Sequence, residues 1–459
     1  MTQTGPCGGQ LVPADLSAPP GHRHSVLVIR LCLVWYLDAH VSLRGVGQIL
    51  LSLLTLLGGL LPLSLPYHQT VRSWLLRCGL FLLRRLVPRR DDWVWILDHT
   101  IRIGQQKCLL ILGASLEGLQ GCQDALEQHQ VVVLDLWVAD HCTGIDVEAR
   151  LESLAGRVGP PRQIVSDHGS DLIKGIHLFQ ANHPEVIDTY DVTHKLACLV
   201  KAELEPNPRW AEFVRRCTSS LFHLQQGRGA FLMPPGPRSL DRYMNADRHT
   251  DWAGRVLALL EAPEKSKVAG LLGLGEAEAR SWLEEKLGWL RDFRPEVECW
   301  QRLLGVVHQT AQEVKNHGLG KQTAAQVWGQ LALEVFQDAR LSDFLTELRG
   351  YLKEERGKVP AGESWLGTSD VIESLFGKYK WFGEKAPYAE VGASVLTLPL
   401  LTVELTADLV REAMSSVTGK DVRTWVAENI GRSTLSKVSA VTALVNESNQ
   451  GSSADTDSG

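Results

Sequence analysis

Residues 93–103 read Trp93-Val-Trp-Ile-Leu-Asp-His-Thr-Ile-Arg-Ile103. Aromatic and β-branched side chains dominate, which predicts a strand. Within it stands Asp98, and a carboxylate in an apolar strand is costly unless it is paired or holds a metal. Downstream, Gly104–Gln106 predicts a turn and Lys107–Gly113 a second strand, with a third over Gln130–Ala139. Asp146–Arg157 has helical spacing through Val147, Leu151 and Leu154. Gln163–Ser166 predicts a short buried strand, Asp171–Asn182 a helix and Val186–Tyr190 a fifth strand. The order β-β-β-α-β-α-β implies a mixed α/β core, three meandering strands followed by alternation.

Two further carboxylates stand where strands and helices end. Asp167 follows the fourth strand directly, in Ile164-Val-Ser-Asp-His-Gly169; it also reads as a helix cap together with Ser166. Glu373 lies in Thr368-Ser-Asp-Val-Ile-Glu-Ser-Leu-Phe-Gly377, near the start of a helix over Ser369–Tyr379, with Asp370 the competing residue one turn earlier. Carboxylates brought together in this way are all-oxygen ligands suited to Mg²⁺ or Mn²⁺. Asp191-Val-Thr-His194 follows the fifth strand; His194 also reads as an ordinary helix-start residue. Asp135 and Asp140 read as edge or solvent-face residues of the third strand, and Gly318-Leu-Gly-Lys-Gln-Thr323 lacks the pattern of a phosphate loop.

The chain has 459 residues, 44% of them hydrophobic, with a formal net charge of -6. That length implies several domains and that charge argues against a uniformly basic binder. The positive charge is concentrated locally: residues 1–90 hold nine arginines and no lysine, against Asp15 and Asp38. Three helices are predicted there, Ser25–Ala39, Val41–Leu57 capped by Ser42, and one running from Pro66 to about Arg85. The last carries Thr70, Arg72 and Arg77 on polar positions, as a helix-turn-helix recognition helix would. Residues 48–66 are almost uncharged, but Gly58–Gly59 and two prolines interrupt them, so a core reading is preferred to a membrane span. The start of the chain lacks a signal-peptide pattern. Nine scattered cysteines without a CxxC pair fit a reducing compartment.

Beyond Lys195 the strand signal gives way to helices, among them Glu276–Arg291, Glu296–Asn316 and Ala324–Gly350, after a Pro/Gly-rich link at 233–238. Arg209–Trp210, Arg215–Arg216 and Arg238–Arg242–Tyr243 mix cations with aromatics, which suits phosphate contact and base stacking, or an ordinary surface and core. The expected organisation is a flexible arm (1–22), a helix-turn-helix domain (23–90), the first part of the core (91–195), a helical insertion (196–362), the second part of the core with C-terminal helices (363–445) and a disordered tail (446–459).

The constellation of Asp98, Asp167, Asp191-x-x-His194 and Glu373 beyond a helical insertion resembles the DDE transposases of the ribonuclease-H-like superfamily. The insertion is similar to that of hAT-type transposases and bacterial insertion-sequence enzymes. Lys380, seven residues after Glu373, matches the Glu-x6-Lys half of a bacterial insertion-sequence signature, whereas Leu366 and Ser369 replace its Tyr and Arg. The resemblance implies a five-stranded ribonuclease-H-like sheet. It implies two Mg²⁺ or Mn²⁺ ions on Asp98, Asp167 and Glu373, with His194 beside the scissile phosphate. It implies DNA contacts from Thr70, Arg72, Arg77 and Lys380. It further implies cleavage and joining at terminal inverted repeats and target DNA, by a homodimer or larger assembly associated with the bacterial nucleoid. A catalytically silent, domesticated DNA-binding descendant and a metal-dependent nuclease are the alternatives.

Overall fold

A computed structural model of the chain describes residues 13–56, 64–101, 107–120, 126–236, 243–263, 267–383, 392–430 and 441–442. The expected turn at 104–106, the Gly58–Gly59 break, most of the arm, the Arg238–Arg242 cluster and the tail lie outside these residues. The chain divides into two compact units. One comprises residues 1–118, 126–188 and 369–459, the other 119–125 and 189–368.

The first unit holds a five-stranded mixed sheet in the order β3-β2-β1-β4-β5. The strands are β1 (Trp93–Ile101), β2 (Lys107–Ser115), β3 (Val132–Ala139), β4 (Gln163–Ser166) and β5 (Ile187–Tyr190). β2 runs antiparallel to both β1 and β3, and β4 runs parallel to β1. This is the ribonuclease-H-like sheet order, a meander extended by two strands reached through helical crossovers. A register shift between Ile111 and Leu112 of β2 absorbs one extra residue of β3.

Alternation along β1 divides the sheet into two faces. Trp93, Trp95 and Leu97 join Leu109, Ile111 and Ile164 in one core with Val147, Leu151 and Leu154 of helix Gly144–Val158 and Leu172, Ile176 and Phe179 of helix Ser170–Asn182. Those two helices cross closely because position 175 is glycine; a Cβ there would stand 2.5 Å from Val147 Cβ. Val94 and Ile96 alternate to the other side and are equally buried. Helix Asp370–Gly383 packs against β1, while α3 (His68–Arg84), the 3₁₀ segment Ala393–Thr402 and helix Gly419–Asn429 pack against β3.

The three N-terminal helices form with bounds close to expectation: α1 (Val26–Leu37), capped by Ser25, α2 (Leu43–Leu56) and α3. They do not enclose a core of their own. Val28, Leu33, Val46, Leu50, Val71, Trp74 and Leu75 close around Leu400, Leu405, Val410, Ala413 and Met414 from the C-terminal part of the unit. Gly79 allows α3 to meet the 3₁₀ segment directly, since a Cβ there would fall 1.7 Å from the Leu396 carbonyl oxygen. No helix among the described residues is long and apolar enough to cross a membrane.

Helices make up the second unit: Val192–Leu204, Pro208–Leu224, Ala246–Glu261, Glu276–Leu287, Arg294–His317, Lys321–Gln337 and Ser342–Lys358. Its aromatic centre joins Trp210, Phe213, Phe293 and Trp300, the Trp210 and Trp300 rings meeting edge to face at 4.9 Å. Two expected helices are interrupted. Glu276–Arg291 turns to 3₁₀ geometry at Gly288, and Ala324–Gly350 breaks at Asp338. There the carboxylate caps a new turn through the Arg340 amide and binds the guanidinium groups of Arg302 and Arg340 at 2.6 and 2.7 Å. Gly318 has positive φ and ends helix Arg294–His317, so the Gly318–Thr323 stretch is a helix junction.

Candidate active site

The last ladder pair between the parallel strands β1 and β4 is Leu97 with Ser166. Asp98 is the next residue of β1 and Asp167 the first residue past β4, so the two aspartates follow one ladder pair of neighbouring strands. Alternation places Asp98 on the face opposite Leu97, and helix Asp370–Gly383 packs against the same strand. Both aspartates are part-buried.

Local geometry orients each carboxylate. Asp98 Oδ1 accepts the His99 amide at 2.6 Å. Asp167 Oδ1 accepts the Gly169 amide at 2.8 Å, which requires the chain to double back at His168. His168 does so at φ +55°, a left-handed conformation costing a non-glycine residue about 1–2 kcal/mol. Its ring is held by Asp188 of β5, with Nε2 2.9 Å from Oδ2 and 3.1 Å from Oδ1. Asp188 is 7% exposed, so this partner also offsets the burial of a carboxylate. Gly169 is equally constrained: a Cβ would press on Asp167 Oδ1 at 3.2 Å. Sequence reading singled out Asp167 but not His168 or Asp188; the available signal was the polar residue inside the short buried strand β5.

Glu373 lies in the first turn of helix Asp370–Gly383, as does Asp370; both are part-buried, and a spacing of three puts them on adjoining positions of one side. Among the described residues no group of three or more His, Cys, Asp or Glu side chains lies close enough to hold a metal ion. The donor chemistry of Asp98, Asp167 and Glu373, all carboxylate oxygens, is of the kind Mg²⁺ or Mn²⁺ takes.

On the opposite face His99 meets Cys142, Nε2 to Sγ 3.3 Å. Burial first, and Lys107 second, push the imidazole down to about 4, against the pull of Asp167 and Asp171. Lys107 pairs with Asp171 at the start of helix Ser170–Asn182. Asp135 lies on the edge strand β3, as expected. It is turned toward helix Gly144–Val158, 3.8 Å from Arg150 and 3.9 Å from Arg157, and burial raises its carboxyl against the effect of those arginines.

His194 and Asp191 belong to the second unit. Asp191 is fully buried and caps helix Val192–Leu204, accepting the His194 amide at 2.7 Å and the Thr193 hydroxyl at 2.5 Å, while Thr368 donates to its other oxygen at 3.4 Å. His194 follows, part-buried, in the first turn.

The expected DNA-contact residues divide. Arg72 and Lys380 are exposed and Thr70 is part-buried. Arg77 is engaged internally, donating to the carbonyls of Val417 and Met414 at 2.5 and 2.6 Å. Arg30 likewise donates to Leu405 O at 2.6 Å, so part of the N-terminal basic character is structural. In the second unit Arg209 is taken up by Glu296 and the Asp292 carbonyl, and Trp210 is core. Arg215, Arg216, His223, Lys286 and Trp289 line a cavity of about 310 Å³ together with Glu285, with Arg216 paired to Glu212 at 3.3 Å and Lys286 to Glu285 at 2.7 Å. Its floor is ordered by the Trp289 indole donating to Ser220, with the Arg216 guanidinium 5.7 Å from the Trp289 ring.

No protein-family profile matches this chain, and no curated protein sequence does. Among solved structures it is similar to the Drosophila P element transposase strand transfer complex, with 12% sequence identity and a TM-score of 0.36. The match covers 85% of this chain and 91% of that one.

Proposed function

We propose that the chain is a DDE-type DNA transposase that cuts and joins DNA strands at the sheet position occupied by Asp98 and Asp167. The observation that supports this reading is that both follow the last ladder pair of the neighbouring parallel strands β1 and β4, in the unit whose helix Asp370–Gly383 carries Glu373 and packs against β1. Asp98, Asp167 and Glu373 would hold two Mg²⁺ or Mn²⁺ ions. When bound, such a pair activates the attacking oxygen and stabilises the leaving one.

The chain's own groups then have distinct tasks. The His99 and Gly169 amides fix one oxygen of each aspartate, which limits the motion of both ligands. In hydrolysis a water oxygen bonds to phosphorus, the P–O3′ bond breaks, and the departing oxygen takes up a proton. In joining, the freed 3′-hydroxyl takes the place of water. Arg72, Thr70 and Lys380 are assigned to flanking DNA. The helical unit binds the DNA backbone through Arg215, Arg216 and Lys286, around Trp289 as a stacking surface. Paired ends would be processed by a homodimer or larger assembly.

The test is incubation of the purified chain with candidate terminal inverted repeats and Mg²⁺ or Mn²⁺, beside Asp98→Ala and Asp167→Ala. Cleavage and joining by the wild type, with binding but no cleavage by both variants, is the expected outcome. Undiminished cleavage by the variants overturns the site. Cleavage without joining identifies a nuclease, and binding without cleavage a silent DNA-binding protein.

A further inference from the structure

We infer that His168 and Asp188 form a latch that positions Asp167, making His168 a positioning residue for the proposed metal site; this inference rests on the transposase reading. Three observations combine. The residue directly after Asp167 adopts a left-handed backbone although it is not glycine. Its side chain reaches across to the neighbouring strand β5 and binds both oxygens of Asp188, a carboxylate almost without solvent contact. The turn so created brings the Gly169 amide onto Asp167 Oδ1.

Each element alone has a simpler solution. Glycine at 168 would adopt the same φ without strain. An apolar residue at 188 would bury without a partner. Histidine at the one and aspartate at the other make sense together: the side-chain contact holds a backbone turn that histidine would otherwise leave. The turn in turn fixes the direction of Asp167. Without the contact the chain beyond β4 can relax toward extended geometry, and Asp167 then loses that direction. The latch lies wholly within the first unit.

The test uses the full chain and three substitutions. His168→Gly keeps the turn sterically free but removes the ring. Asp188→Ala removes the acceptor, and Asp188→Asn keeps a carbonyl oxygen that can accept from Nε2–H. Two readouts are taken: Mn²⁺ binding by calorimetry without DNA, and single-turnover cleavage of end DNA. The expected result is a roughly tenfold to hundredfold weaker Mn²⁺ affinity and a comparable fall in cleavage rate for His168→Gly and Asp188→Ala, as for loss of an outer-sphere support. DNA affinity should be little changed for His168→Gly, Asp188→Asn should recover most of the loss, and the double variant His168→Gly/Asp188→Ala should be no worse than either single one. Wild-type Mn²⁺ affinity and rate in His168→Gly would overturn the latch and leave the transposase reading standing. Absence of both Mn²⁺ binding and cleavage in the wild-type chain would overturn the reading and the latch with it.

Discussion

Asp98 and Asp167 each stand one residue beyond the same ladder pair, Leu97 with Ser166, so parallel pairing of β1 and β4 brings two acidic positions to the same end of neighbouring strands. Replacing either by asparagine preserves shape and removes a hard, charged ligand. Metal-dependent DNA cleavage should fall at least about a hundredfold, since even loss of a group that only supports a ligand costs that much. Electrophoretic mobility shifts should show DNA binding retained. Loss of binding in parallel with cleavage would instead indicate a DNA-contact role.

Arg77 and Arg72 sit on one helix with opposite environments. Arg77→Ala strands the carbonyls of Met414 and Val417 and should lower stability by about 1–3 kcal/mol, read by urea denaturation. Arg72→Ala, at an exposed position, should leave stability unchanged and weaken DNA binding, reducing the salt slope by about one. Equal effects of the two substitutions on DNA affinity would refute this division.

At Gly79 the neighbour of an added methyl group is backbone, the Leu396 carbonyl, which cannot turn aside as a side chain would. Gly79→Ala should therefore destabilise the first unit by about 3 kcal/mol, although alanine favours helices. A thermal midpoint equal to or above that of the wild type would show that the two segments part easily.

How much of this was legible in the sequence depends on the range of the interaction. The strands around Asp98 and Asp167 declare themselves through runs of apolar residues, and the β-β-β-α-β-α-β order implies the sheet. The partners of Asp135 were not legible, because Arg150 and Arg157 reach it from a helix whose rotation no local pattern fixes. Nor was the positive φ of His168, which is decided by Asp188. The N-terminal helices were legible as helices but not as sharers of a core with residues 400–414, since amphipathic faces do not name their partner.

His249 offers a pH signature in the second unit. It is 3% exposed, and burial first, then Arg248, push it down to about 4 against the opposing Asp247. The unfolded chain takes up the proton near 6.5 and the folded chain near 4, so stability is complete above 6.5 and declines as pH falls through that interval. The loss reaches at most about 3 kcal/mol. Denaturation curves between pH 7 and pH 4 should flatten in His249→Gln, and an unaltered slope would exclude this group as a source.

Asp338 joins two arginines and caps the turn that interrupts the expected long helix. Asp338→Ala should cost roughly 2–4 kcal/mol, most of it from guanidinium groups left facing each other. Asp338→Asn should cost less, because it can still cap. Hydrogen exchange at Ser342–Lys358 would localise the loss, and uniform exchange across the unit would contradict it.

The apolar lining of α1–α3 is completed by Leu400, Leu405, Val410, Ala413 and Met414, although the whole helical unit lies between them in the chain. During synthesis at about 5–20 residues per second, the N-terminal helices therefore wait many seconds with that lining uncovered. Until residues 400–414 are made, that lining lacks the partners it has in the folded unit. The stability of α1–α3 is therefore tied to residues more than 300 positions away in the chain.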